Sequence, residues 1–255
     1  MISRDLIATC WTSAGRVKPL DDPEVSDRTA LDRIAAVADT GWQGMGFAQG
    51  DLAVIRDEMG FDALARAASA RGLTHLEVEL ITGWWVDPAA SPWRTTWEML
   101  LDAAQALHSP WIKVGTAFGE MVDDLSPFVE PMRRLADEAA ARGTRIALEP
   151  LPFALVGSLP QGAELIRLVD HEAAGLCVDY WHVFRAGTSL AELEKALEPE
   201  MIFGVELNDA DAEPRGTLFE DTRDNRHYPG EGAQDVVGFV RTMETLGYDL
   251  SLIHI

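Results

Sequence analysis

Short apolar runs alternate with amphipathic stretches along nearly the whole chain. Strand-like runs lie at DLIATCW (5–11), WQGMGF (42–47), LTHLEVELI (73–81), PWIKVGT (110–116), TRIALE (144–149), AGLCVD (174–179) and MIFGVEL (201–207). Between them, ALDRIAAVAD, FDALARAASARG, WEMLLDAAQALH and MRRLADEAAARG repeat apolar residues at three and four positions, the spacing of a helix with one buried face. Several of these end at a glycine, the residue that most readily takes the left-handed turn just past a helix. Strand followed by helix at intervals of roughly 30–40 residues predicts parallel βαβ units. An eighth unit reads as a helix in DVVGFVRTMETLG and a final strand in LSLIHI, residues 250–255. Eight such units predict a single α/β domain over residues 1–255, a (β/α)8 TIM barrel. The competing doubly wound sheet would place a GxGxxG turn after the first strand, and the sequence has none there.

In a barrel of this kind the chemistry sits at the C-terminal ends of the strands. Strands five, six and seven each close an apolar run with an acid: Glu149 after Ile146-Ala147-Leu148, Asp179 after Leu176-Cys177-Val178, and Glu206 after Phe203-Gly204-Val205. The plain reading is three acids that open solvated loops. The sharper reading is a shared site, because carboxylates converging on one mouth repel one another and take up protons unless a cation compensates. A divalent metal supplies that cation. Oxygen ligands favour Mn²⁺ or Mg²⁺, and a histidine nearby widens the choice to Co²⁺ or Zn²⁺. His182, three residues beyond Asp179, reads as a group that supports the site or touches substrate. Lys113 on strand four and Glu79 on strand three can also face the mouth, although strand alternation leaves their side open. Trp11, Trp84, Trp85 and Trp181 lie at or just beyond strand ends, where an aromatic face either stacks on a sugar ring or fills space.

Composition narrows the setting. The chain is 47 % hydrophobic and 25 % charged, as expected of a soluble globular protein, and its net charge of −21 opposes binding to nucleic acid or an anionic membrane. The N-terminus lacks the pattern of a signal peptide, and no stretch approaches the ~18 apolar residues of a membrane span. Cys10 and Cys177 sit far apart in apolar runs and read as buried thiols of a cytoplasmic protein.

The motifs IALEPLP (146–152), GLCVDYWH (175–182), VELNDA (205–210), Arg226 with PGEG (229–232), and FVRTMETLGYD (239–249) together resemble the sugar phosphate isomerases and epimerases of the xylose-isomerase-like barrel superfamily. The resemblance implies a divalent metal held by Glu, Asp, His and Glu on strands five to eight. Glu149 and Asp179 match the first two places. Glu206 falls where a histidine is usual, so it either ligates in its stead or marks a lost metal site. The resemblance also implies that Glu149 transfers a proton as well as ligating, and that Arg226 meets substrate oxygens. The substrate class is then a sugar, sugar phosphate or cyclic polyol, isomerised or epimerised by proton transfer next to a carbonyl through a metal-stabilised enediolate. Two alternatives share the scaffold: a metal-dependent lyase or dehydratase on a keto-sugar, keto-inositol or oxidised glycoside, and a non-catalytic binding protein that has lost a ligand. A DNA-repair endonuclease of the same superfamily would need more histidines and a basic groove.

No acid follows Asp249 to fill the strand-eight place, and His254 is one position out of register with it. LSLIHI therefore reads as a foreign tail on a barrel truncated within or just after strand eight and lacking the closing helix. Such a barrel is expected to stay open beside strand one, to expose apolar surface there, and to favour a homo-oligomer.

Overall fold

Eight parallel strands close into a barrel in chain order, each hydrogen-bonded to the next. The computed structural model describes residues 5–248 and 252–254. The strands are β1 Leu6–Ala8, β2 Gly44–Ala48, β3 His75–Ile81, β4 Ile112–Val114, β5 Ile146–Leu148, β6 Ala174–Asp179, β7 Ile202–Leu207 and β8 Leu252–His254. Around them run α1 Ala30–Asp39, α2 Gln49–Glu58, α3 Phe61–Ala70, α4 Trp93–Leu107, α5 Ser126–Ala141, α6 Leu159–Val169, α7 Tyr180–Arg185, α8 Leu190–Ala196, α9 Leu218–Asp224 and α10 Val236–Thr245.

The helices form where local chemistry agrees with periodicity. ALDRIAAVAD is α1 residue for residue; Ile34 and Val37 face the core, and the Thr29 side chain accepts the Asp32 N–H at the start. Capping boxes begin α8 at Ser189 and Glu192, and α9 at Thr217 and Glu220. Helix α5 starts at Ser126, earlier than MRRLADEAAARG suggests, because Pro127 falls in the first turn, where a missing N–H costs nothing.

Apolar residues pack in two places. Val78, Ile112, Val114, Leu148, Val178 and Val205 belong to the large core between sheet and helices. Ile7, Trp111, Ala147, Cys177 and Phe203 form a second, smaller cluster. Alternation along a strand puts Lys113 on the same side as Trp111, Glu149 with Ala147, and Asp179 with Cys177. An apolar plug inside the barrel thus carries a layer of charge above it, at the C-terminal mouth.

Strand β7 departs from simple alternation. Leu176 pairs with Ile202 but Cys177 with Gly204, so β7 holds one extra residue against β6. This bulge brings Glu206 opposite Asp179; without it Glu206, three residues beyond the plug residue Phe203, would face the helices.

The expected open edge beside β1 is not found. Leu252, Ile253 and His254 pair with Leu6, Ile7 and Ala8, while Ile253 and His254 also pair with Glu206 and Leu207, so β8 closes the barrel. Asp249 and residues 250, 251 and 255 lie outside the described residues.

Candidate active site

Strand ends β3 to β7 converge on one buried ammonium. Lys113 Nζ lies 2.5 Å from Glu206 Oε1, 3.0 Å from Glu79 Oε2 and 3.6 Å from Glu149 Oε1. All four side chains are buried. Burial works against the Lys113 charge, but Glu149, Glu206 and Glu79 outweigh it and hold the ammonium well above its ordinary pKa. Burial pushes the Glu149 carboxyl up to about 7 against the pull of Lys113, with Asp179 and Glu79 adding to the rise. Among the described residues, Glu206 Oε2 and Glu79 Oε1 are buried without a hydrogen-bond partner.

Asp179 is held from four directions. Its Oδ1 accepts the backbone N–H of Trp181 at 2.7 Å and the side-chain N–H of Asn208 at 2.8 Å, and it also caps α7 through His182 N. Its Oδ2 accepts from Arg226 Nη1 at 2.8 Å. Burial alone would raise this carboxyl; Arg226, His182 and the hydrogen bonds outweigh it and keep Asp179 well below the usual carboxylate range. His182, on α7, is driven down to about 3 by burial, with Arg226 and Lys113 acting in the same sense against Asp179. The imidazole is therefore neutral. Its Nε2 lies 3.4 Å from Arg226 Nη2, a cation that can only donate, so Nε2 carries the lone pair. Arg226 itself stands on a loop anchored by Asp209, whose carboxylate accepts the N–H groups of Gly230 and Gln234, both at 2.9 Å.

These groups floor a cleft of about 960 Å³. Trp11, Lys113, Glu149, His182, Glu206 and Arg226, all singled out in the sequence, line it. Trp84 does not. Its indole donates to the Gly115 carbonyl at 2.7 Å and its ring packs edge-on against Trp85 and Phe128, so it fills the helical shell where a substrate contact was expected. Sequence reasoning passed over an aromatic wall: Phe118, Phe153 and Phe219 meet with centroids 5.1–6.0 Å apart, and Phe153 also touches the His182 ring. They come from three separate loops or helices, so no local pattern joins them.

The expected trio Glu149, Asp179 and Glu206 is divided. Among the described residues, ligand atoms gather within 4.8 Å of one another in two sets, Glu149–Asp179–His182 and Glu149–Cys177–Glu206. In the first, His182 Nε2 is 3.6 Å from Asp179 Oδ2 and 3.8 Å from Glu149 Oε1. Ligands bound tetrahedrally at ~2.1 Å stand roughly 3.4 Å apart, so small movements would suit a metal. Charge points the same way. With all four ionised, the carboxyl groups of Glu79, Glu149, Asp179 and Glu206 face two cations, Lys113 and Arg226, a shortfall that one divalent ion would make up.

The model of the xylose isomerase-like TIM barrel family matches residues 34–254. An inosose isomerase of Bacillus licheniformis is 30 % identical over 122 residues, 47 % of this chain and 42 % of that protein. A 3-dehydroshikimate dehydratase of Pseudomonas putida is 29 % identical over 153 residues, 59 % of this chain and 24 % of that protein. The matches thus span less than half the length of either relative. A crystal structure of an IolI protein with a bound zinc atom superposes with a TM-score of 0.77 at 19 % identity, over 98 % of this chain and 88 % of that one. Among the described residues, no helix is long and apolar enough to cross a membrane.

Proposed function

Because the chain belongs to the xylose isomerase-like TIM barrel family, we propose that it removes and returns a proton beside the carbonyl of an unphosphorylated sugar or cyclic polyol, as an isomerase or epimerase. The observation that carries this reading is Glu149, a buried carboxyl on the cleft floor raised to about 7, which can accept a proton and give it back near neutral pH. The inosose isomerase relative supports the same substrate chemistry.

The lining argues against a phosphate. Each described cation of the cleft is engaged: Lys113 with the three glutamates, Arg223 with Asp224 and Arg226 with Asp179. The three phenyl rings offer an apolar wall suited to the C–H face of a sugar or cyclitol ring. Glu149, Asp179 and His182 would hold a divalent ion, which supplies, when bound, an electrophile for carbonyl and hydroxyl oxygens. With an imidazole in the set, Mn²⁺, Co²⁺ and Zn²⁺ suit it better than Mg²⁺. Asp179, fixed by Asn208 and the start of α7, holds Arg226 against the cleft, where the guanidinium orients hydroxyl groups.

The dehydratase relative favours a second reading, in which the same abstraction is followed by loss of water from the next carbon. Solvent exchange separates the readings. An unphosphorylated inosose or ketohexose in D2O with Mn²⁺ should gain deuterium next to its carbonyl without losing water, as read by NMR. Glu149→Gln should slow this by roughly 10²–10⁴-fold. Water loss would favour the dehydratase. Exchange unaffected by Glu149→Gln would sink both, and binding with no exchange would leave a carbohydrate-binding protein.

A further inference from the structure

The charged layer has an occupant that the metal-centred description leaves unused. Lys113 projects from β4, is almost wholly buried, and makes its shortest contact with Glu206. Glu206 is brought there by the extra residue in β7 and contacts no cation but Lys113 among the described ion pairs. Of the two ligand sets, the one containing Glu206 has Lys113 against two of its three members, at 2.5 Å from Glu206 and 3.6 Å from Glu149.

A divalent ion there would stand about 4 Å from an ammonium on a strand, and the two cations would repel each other strongly in so buried a place. Its third ligand, Cys177, is buried and would have to lose a proton. The other set also has a cation against it, Arg226, at 2.8 Å from Asp179 Oδ2 and 3.4 Å from His182 Nε2, but that cation lines the open cleft. Arg226 comes from the loop after α9 and has the cleft beside it to withdraw into, whereas Lys113 stands on β4 enclosed by Glu79, Glu149 and Glu206.

We propose that Lys113 is the built-in cation of the β3-to-β7 side of the mouth and that Glu206 is its counter-ion, not a metal ligand, so that a divalent ion is confined to Glu149, Asp179 and His182. The confinement rests on the metal-dependent reading above; the pairing of Lys113 with Glu206 does not. Lys113 is then a positioning residue. It fixes the Glu149 carboxyl beside the ion and takes the place that a metal would otherwise fill between Glu79 and Glu206.

Mn²⁺ titration by calorimetry, with thermal unfolding in EDTA and in saturating Mn²⁺, tests this on the full chain. Glu206→Gln should leave Mn²⁺ affinity within a factor of about three of wild type, whereas His182→Ala should lose about tenfold or more. Lys113→Met, which leaves Glu79, Glu149 and Glu206 without their cation, should bind Mn²⁺ about tenfold more tightly and unfold at a temperature that depends far more on Mn²⁺. A tenfold loss in Glu206→Gln would overturn the proposal, as would a Lys113→Met protein that gains no affinity or folds in neither medium. If wild type takes up no Mn²⁺ while Lys113→Met does, the metal-dependent reading fails and the assignment of Lys113 stands.

Discussion

Glu149 stands in both ligand sets, beside the buried ammonium and next to the cleft, so its titration reports on the whole centre. Its ordinary value of 4.5 is raised in the folded protein to about 7. A raised carboxyl favours the folded state while protonated. The metal-free protein should therefore lose stability as pH climbs from about 4.5 through about 7, and Glu149→Gln should lessen that loss. Comparing the two proteins by thermal unfolding in EDTA across that window checks the sign; parallel curves would show that Glu149 is not raised. Asn208→Ala should cost about 1–3 kcal/mol, because Asp179 Oδ1 loses a buried donor, and should weaken substrate binding more than Mn²⁺-free folding alone explains. At this scale the strand-end acids were legible, since each interrupts an apolar run. Their partners were not. Lys113 reaches Glu206 across 93 positions of sequence, and only closure of the sheet brings them together. The indole of Trp84 near a strand end carried no sign of which way it points.

Helices with one long apolar face were readable, as α1 shows, because burial and periodicity make the same demand. The short helix α7 was not, because Asp179 does two jobs: it ends a strand and accepts the first N–H groups of the helix carrying His182. That double role explains why His182 joins Glu149 and Asp179 when sequence spacing suggested a more distant contact. The loop bearing Arg226 has its own dependence. A Cβ on Gly232 would come within 2.4 Å of the Ala210 carbonyl and of Asp209 Oδ1. Gly232→Ala should displace the anchor under Arg226, lowering stability by about 1–3 kcal/mol and raising KM more than it lowers kcat. An unchanged KM would show that the anchor does not position Arg226.

As a whole, the molecule was legible in its cadence of eight strands and opaque in its closure, since the segment read as a foreign tail supplies β8. Its net charge of −21 has a global effect distinct from the paired charges of the centre. Raising ionic strength from about 0.01 to about 0.15 M shortens the screening length from roughly 30 to 8 Å and should raise Tm by relieving self-repulsion. A Tm that falls over this range would mean that exposed ion pairs contribute more than the net charge subtracts. The extra residue in β7 gives the centre a tolerance of chain length that residue identity does not reveal. Deleting Gly204 would remove the bulge, yet Glu206 would then stand two residues beyond Phe203, on the plug side of the strand and still opposite Asp179, with every charged side chain of the site kept. A library of one-residue deletions should find that stretch of β7 unusually permissive, in protein that still folds and keeps Glu206 against Lys113, a signature that no substitution scan can produce.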